Sequence, residues 1–226
     1  MTMPFYVAPE QVMKDRADYA RKGIARGRSL AGLIYNDGVL ICAENQSRSL
    51  HKVSEIYDHI AFAGVGRYNE FDSLRTAGVR LADLRGYSYS REDVDARSLA
   101  NAYAQTLGQV FTHEMKPMEV EILVAELGVD DHPDQLFHIL YDGTVVDEEN
   151  FTVLGGEAET IAERLKEGFS EGMELGTALR AAVSALAGPE RTFTANDLEV
   201  AHLARSNGRR AFKRIVDGEL EQLLAG

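Results

Sequence analysis

The chain has 226 residues, 45% apolar and 27% charged, with 36 acidic against 24 basic side chains and a formal charge of -12. Its length suits one domain with a sizeable core, and the single cysteine, Cys42, excludes a disulfide framework or a thiolate metal site. The acidity argues against nucleic acid or an anionic membrane as partner, because both select a basic face.

The opening MTMPFYVAPEQ lacks a basic start followed by a long apolar run. No later stretch approaches the roughly 18 apolar residues of a membrane span, so a reducing cytoplasm is the expected compartment. Residues 1–8 show no periodicity. Pro9 then stands where a first helical residue often does, with Glu10 behind it. Met13, Ala17, Ala20 and Ile24 form one helical stripe, Arg21, Lys22 and Arg26 load the end favoured by cations, and Gly27 closes the helix. A hairpin follows: a strand over 29–35, an Asn36-Asp37-Gly38 turn, and a return strand over 39–44.

A second strand pair is predicted over 52–57 and 59–66, around Asp58. Tyr68, Phe71, Leu74, Leu81 and Leu84 then mark one helix. Ser90, with Asp93 three residues on, caps another that carries Leu99, Tyr103, Leu107 and Val110. Strands resume over 120–127, 136–142 and 151–154, with Asp142-Gly143 as the turn between the last two. Ile161, Ala162 and Leu165 mark a further helix, and Leu175, Leu179, Ala182, Val183 and Leu186 its partner. Strands over 197–203 and 209–215 flank Ser206-Asn207-Gly208, and a short helix covers 218–224. Short turns imply antiparallel pairing, and paired helices imply cover for sheet faces. The expected fold is therefore α+β, a four-layer αββα sandwich of two sheets between two helical layers.

Motifs for chemistry are missing. The histidines at 51, 59, 113, 132, 138 and 202 make no HxxxH pair and no cluster with metal-ligand spacing. GxxxxGK[ST], GxGxxG and GxSxG are absent. Gly64-Val65-Gly66 lacks the third glycine of a dinucleotide loop and is read as a tight turn. Carboxylates are too numerous for any pair to be nominated.

Several blocks nevertheless carry a resemblance: APEQVMKDRADYARKGIARGRS, GVLICAENQSRSLHKVSEIYDHIAFAGVGRYNEFDSLR, RGYSYSREDV, LANAYAQTL, LYDGTVVDEENFTVLGG and the closing RRAFKRI. In this order they resemble the α-subunits of the 20S proteasome, most closely the actinobacterial type. The resemblance implies the N-terminal nucleophile hydrolase fold with an extra N-terminal helix. It also implies one domain over 1–226, divided into a flexible gate segment (1–8), the helix (9–27) and the sandwich core (28–226).

In the catalytic β-subunits of that family the first hairpin begins with a Thr freed by propeptide cleavage, whose own α-amine is its general base. Alignment of the hairpin places Arg28 at that Thr, Glu44 at the catalytic Asp and Lys52 near the catalytic Lys. The implication is a non-catalytic subunit with a retained leading helix. Cleavage after Arg28 to free Ser29 as the nucleophile of a self-processed peptidase is the alternative, although the family's processing site ends in Gly.

Three further features are carried over from the resemblance. Met1, Thr2, Met3, Pro4, Phe5, Tyr6, Val7 and Ala8 correspond to the segment closing the axial pore, a frayed terminus being the alternative. The Tyr-Asp-Arg triplet of archaeal and eukaryotic α-subunits is absent here. Lys52, with Gly66 in the pocket wall, corresponds to the site binding the C-terminal carboxylate of an activator's tail; a solvated lysine is the alternative. Pro9 corresponds to the turn that moves on pore opening, and Asp18 and Tyr19 to an inter-subunit contact, against plain helix capping and an ordinary polar face. The function implied is a seven-membered outer ring that caps a β-subunit ring. It would gate unfolded protein substrates into the chamber of an ATP-dependent threonine endopeptidase and dock a hexameric AAA ATPase or another ring-shaped activator. No cofactor and no metal are implied.

Overall fold

A computed structural model describes residues 8–130 and 132–226. Its first element, α1 (Pro9–Ile24), starts without a side-chain cap: the Ala8 carbonyl accepts the Gln11 and Val12 N–H groups at 2.9 and 3.2 Å, and Pro9 has no N–H to leave unsatisfied. The helix ends at Ile24, and residues 25–27 form a turn. Of the expected stripe only Ala20 and Ile24 are buried, while Met13 is 37% exposed. The helix buries only its C-terminal half, with Arg16 Nη1 donating to the Phe111 carbonyl of the body at 2.5 Å.

The strands β1 (Leu30–Tyr35), β2 (Gly38–Glu44), β3 (Val53–Tyr57), β4 (Ile60–Gly66), β5 (Val120–Glu126), β6 (Gln135–Ile139), β7 (Val145–Glu148), β8 (Phe151–Leu154), β9 (Leu198–Ala204) and β10 (Phe212–Ile215) make two antiparallel sheets. One runs β10-β9-β2-β1-β8, the other β3-β4-β5-β6-β7. Leu30, Val39, Ile41 and Ala43 of the first sheet and Val53, Ala63, Leu123 and Leu136 of the second pack between the sheets. Alternate residues face outward: Ala31, Leu33, Leu40 and Cys42 meet α4 (Ala158–Gly168), α5 (Leu175–Ala187) and α6 (Asp217–Ala225). Phe62, Ile122 and Val124 meet α2 (Tyr68–Ser88) and α3 (Ala96–His113). Helices on the outer faces and a second sheet on the inner ones bury both sides of the central strands. That is why antiparallel strands here read as unbroken apolar runs. The architecture is the αββα sandwich of the N-terminal nucleophile hydrolases.

Three local expectations are corrected. Ser90 caps only the 3-10 turn Arg91–Asp93, accepting from the Glu92 N–H at 3.4 Å; the cap of α3 is Asp95, which accepts from the Ser98 N–H at 2.8 Å. The buried row of α2 is Phe71, Leu74, Gly78 and Ala82, so Leu84 is 64% exposed. Helix packing selected small residues there: a Cβ at Gly78 would overlap the hydroxyl of Tyr103 on α3. Finally, the Asp142-Gly143 turn leads into β7, which pairs with β6, and β8 then crosses to pair with β1 in the other sheet. The run VVDE is half acidic, with its two central residues exposed, so it carries no apolar alternation to announce a strand.

Leu123, fully buried between the sheets with its Cδ2 beside Gly32, should be among the costliest core truncations. Leu123→Ala is expected to lower the unfolding free energy by about 2–5 kcal/mol, read from urea or thermal unfolding against the parent chain.

Candidate functional site

The site grows from the link between α1 and β1, residues 25–29. The Ala25 and Gly27 N–H groups still bond to the helix, on the Arg21 and Ile24 carbonyls at 2.8 Å each. The chain then passes close to the end of β4: a Cβ at Gly27 would stand 3.0 Å from the Gly66 nitrogen and 3.0 Å from Val65 Cγ1. Gly66 has φ +107°, and a Cβ there would overlap the Glu119 carbonyl oxygen, so both its backbone shape and its surroundings require glycine. Ser29, 8% exposed, is already in register with β2, its carbonyl accepting from the Glu44 N–H at 3.1 Å.

Arg28 sits on this link with its guanidinium turned to Glu44: Nη1 lies 2.8 Å from Oε1, and Nη2 donates to Gln46 at 3.1 Å. The second Glu44 oxygen takes Arg191 Nη1 at 3.0 Å, and Arg191 is itself held by the Leu186 carbonyl at 2.7 Å. Two guanidinium groups thus bracket one carboxylate that is only 7% exposed. On the main-chain side, Lys52 Nζ donates to the Arg28 carbonyl oxygen at 2.5 Å. Burial pushes the Lys52 ammonium down to about 8; Glu44 and Glu199 oppose that shift, and Arg28 adds to it.

The backbone of Lys52 is fixed from both sheets. Its carbonyl accepts from Gly64 of β4 at 3.1 Å, and its N–H donates to Glu199 Oε2 of β9 at 2.7 Å. Glu199 further accepts from the Val53 N–H at 3.2 Å, Asn45 Nδ2 at 2.8 Å and Arg214 Nη1 at 2.5 Å, and lies 3.2 Å from His51 Nδ1. It also walls a cavity of about 220 Å³ together with Asn45, His51 and Arg214.

The three positions aligned on the hydrolytic residues are therefore together in space but joined as an ion-pair and hydrogen-bond network. A guanidinium keeps its proton at any ordinary pH and cannot attack a carbonyl. With the Arg28–Ser29 peptide bond in place, the Ser29 nitrogen is an amide and not an amine that could act as base. Among the described residues no group of three or more His, Cys, Asp or Glu side chains is arranged to hold a metal ion. Cys42 is fully buried, and burial pushes its thiol up to about 12.

Of the other residues singled out in the sequence, Lys52 and Gly66 touch the link at successive residues, Arg28 and Gly27. Pro9 opens α1 and Ala8 precedes it, exposed. Asp18 pairs loosely with Arg21 at 3.6 Å, and Tyr19 is 47% exposed with Lys116 Nζ 5.7 Å from its ring centre, so neither joins the Lys52 cluster. Met1, Thr2, Met3, Pro4, Phe5, Tyr6 and Val7 lie outside the described residues. Sequence reading did not nominate Glu199 or Arg191. Each meets its partner across 147 residues of chain, a separation over which no local spacing gives a signal.

Comparison with known proteins adds an independent observation. The family model of the proteasome subunit matches residues 24–203. The chain is 62% identical to the "Proteasome subunit alpha" of Acidimicrobium ferrooxidans, over 99% of this chain and 97% of that protein. It is 59% identical to the protein of that name from Sanguibacter keddieii, over 100% and 90% of the two lengths. With the one from Thermomonospora curvata it shares 57% identity over 100% and 99%.

The depressed Lys52 ammonium has a direct chemical readout. In competitive acylation across pH, Lys52 is expected to reach half-maximal reactivity near 8, below a solvated lysine at about 10.4. Folding stability should respond with a definite sign. Below 8 both folded and unfolded chains hold this proton, whereas between 8 and 10.5 only the unfolded chain does, so the Lys52 contribution to stability rises with pH through that window. The difference between the parent chain and Lys52→Met in unfolding experiments at pH 7 and 10 isolates it.

Proposed function

The chain belongs to the proteasome subunit family, and we propose that within it this protein is a non-catalytic α-subunit of a 20S core. Seven copies form an outer ring that caps a ring of β-subunits and controls the entry of unfolded protein into the proteolytic chamber. The observation that carries this reading is Arg28: the resemblance aligns it on the hydrolytic residue, and its side chain is engaged by Glu44 and its carbonyl by Lys52. The name shared by the full-length relatives supports the α assignment.

In this reading residues 1–8 form the gate at the ring axis, with Phe5 and Tyr6 supplying apolar matter to close it. Pro9 is the turn on which the gate pivots, and Asp18 and Tyr19, exposed on α1, face a neighbouring subunit. Lys52, with Gly66 beside it, receives the C-terminal carboxylate of a tail from a hexameric ATPase or another ring-shaped activator. The incoming carboxylate replaces the Arg28 carbonyl as partner of the ammonium. One charged hydrogen bond of this kind contributes about 1.5–3 kcal/mol, so a single tail binds weakly and several docking on one ring gain by multivalency. The compartment that fits is the cytoplasm.

Intact mass of the purified, assembled protein tests the first part: a chain retaining residues 1–28 is expected, and one beginning at Ser29 would overturn the non-catalytic role. Deletion of residues 2–8 is expected to raise the rate of peptide hydrolysis by the assembled α–β particle, and an unchanged rate would remove the gate. Lys52→Ala is expected to lower the ratio of activator-stimulated to unstimulated hydrolysis by at least about tenfold, since one charged contact of about 1.5–3 kcal/mol per site is lost.

A further inference from the structure

We infer that Glu199 is the positioning residue of the Lys52 site: its carboxylate, reaching from β9 of one sheet, sets the first residues of β3 in the other and so fixes where the Lys52 ammonium is presented. The inference rests on the reading of Lys52 as a carboxylate-binding residue and names what orients it. Lys52 stands ahead of β3, where no strand ladder yet holds its N–H; Val53 is the first residue of that strand. The missing bond comes from Glu199, whose Oε2 accepts the Lys52 N–H at 2.7 Å and whose Oε1 accepts that of Val53 at 3.2 Å. The apolar side chains packed between the two sheets resist compression but not sliding. A carboxylate accepting two successive backbone N–H groups across that interface supplies the direction that packing lacks.

The carboxylate is itself held. Asn45 Nδ2 donates to Oε2 at 2.8 Å, Arg214 Nη1 to Oε1 at 2.5 Å, and His51 Nδ1 lies 3.2 Å from Oε1. Arg214 also donates through Nη2 to the Val53 carbonyl, so Glu199 and Arg214 together engage both sides of the first β3 residue. Every group that meets Glu199 here can donate a hydrogen bond. A glutamine in its place would turn an NH2 either toward Lys52 and Asn45 or toward Val53 and Arg214, leaving buried donors opposed. The charged groups that face the ammonium are Glu44 from β2, Glu199 from β9 and Arg28 from the link, with Arg191, His51 and Arg214 behind the two carboxylates. Removal of the Glu199 charge therefore changes the titration of Lys52 as well as its place.

The test uses the assembled protein and two fluorescent peptides of one sequence, one ending in a free carboxylate and one in an amide, together with competitive acylation of Lys52 across pH. Glu199→Gln is expected to bind the carboxylate peptide about tenfold more weakly, ~1.4 kcal/mol, and to shift half-maximal Lys52 acylation to lower pH. Glu199→Asp keeps the charge on an arm one methylene shorter, so its acylation midpoint should stay nearer that of the parent while its affinity falls. A folded Gln or Asp variant with parental affinity overturns the inference, and so does loss of binding in both with the Gln midpoint unmoved, which would mean general destabilisation. If Lys52→Ala binds the carboxylate peptide as well as the parent, the docking reading falls instead. The acylation midpoint in the Gln variant then still decides whether Glu199 orients Lys52.

Discussion

The passage of the Gly27–Ser29 backbone across the end of β4 is the constraint on which the rest depends. A backbone segment enters where the two sheets meet, and it fits because Gly66 adopts φ +107° and Gly27 brings no Cβ toward it. Once seated, its polar groups must be satisfied. The helix takes the Gly27 N–H, Lys52 takes the Arg28 carbonyl, and the Ser29 carbonyl starts the β1–β2 pairing. Helix, link and hairpin therefore form one continuous structure.

That seating reassigns the charges around it. Glu44 is bracketed by two guanidiniums and Lys52 is tied to a main-chain oxygen. Burial leaves the lysine with a weakened hold on its proton. An ammonium in that condition gains more from an arriving carboxylate than a solvated one does, because part of its hydration has already been given up. Glu199, accepting the Lys52 and Val53 N–H groups, holds that lysine in register with β3.

How far the sequence could be read depended on the range of the interactions. Asp37-Gly38 announced the first hairpin, Pro9 the start of α1 and the apolar runs most of the strands, since turn chemistry and burial on both faces act within a few residues. The exceptions were β7, whose Val145-Val146-Asp147-Glu148 carries no apolar alternation although Val145 packs on the core, and the packing face of α2, where Gly78 was chosen to admit Tyr103 rather than to be apolar. Within the site, Arg28, Glu44, Lys52 and Gly66 all lie in the first third of the chain and were named from the family resemblance.

The sequence by itself thus determined the class of fold and, through blocks that resemble a known family, the family, because turn chemistry, apolar runs and residue identity are all written along the chain. Only the tertiary structure decided what those residues touch. Glu199 and Arg191 reach the site from 147 residues away through the pairing of β9 with β2 and the packing of α5 on the sheet, and hydrogen bonds so remote in sequence come into being only when two sheets close on each other.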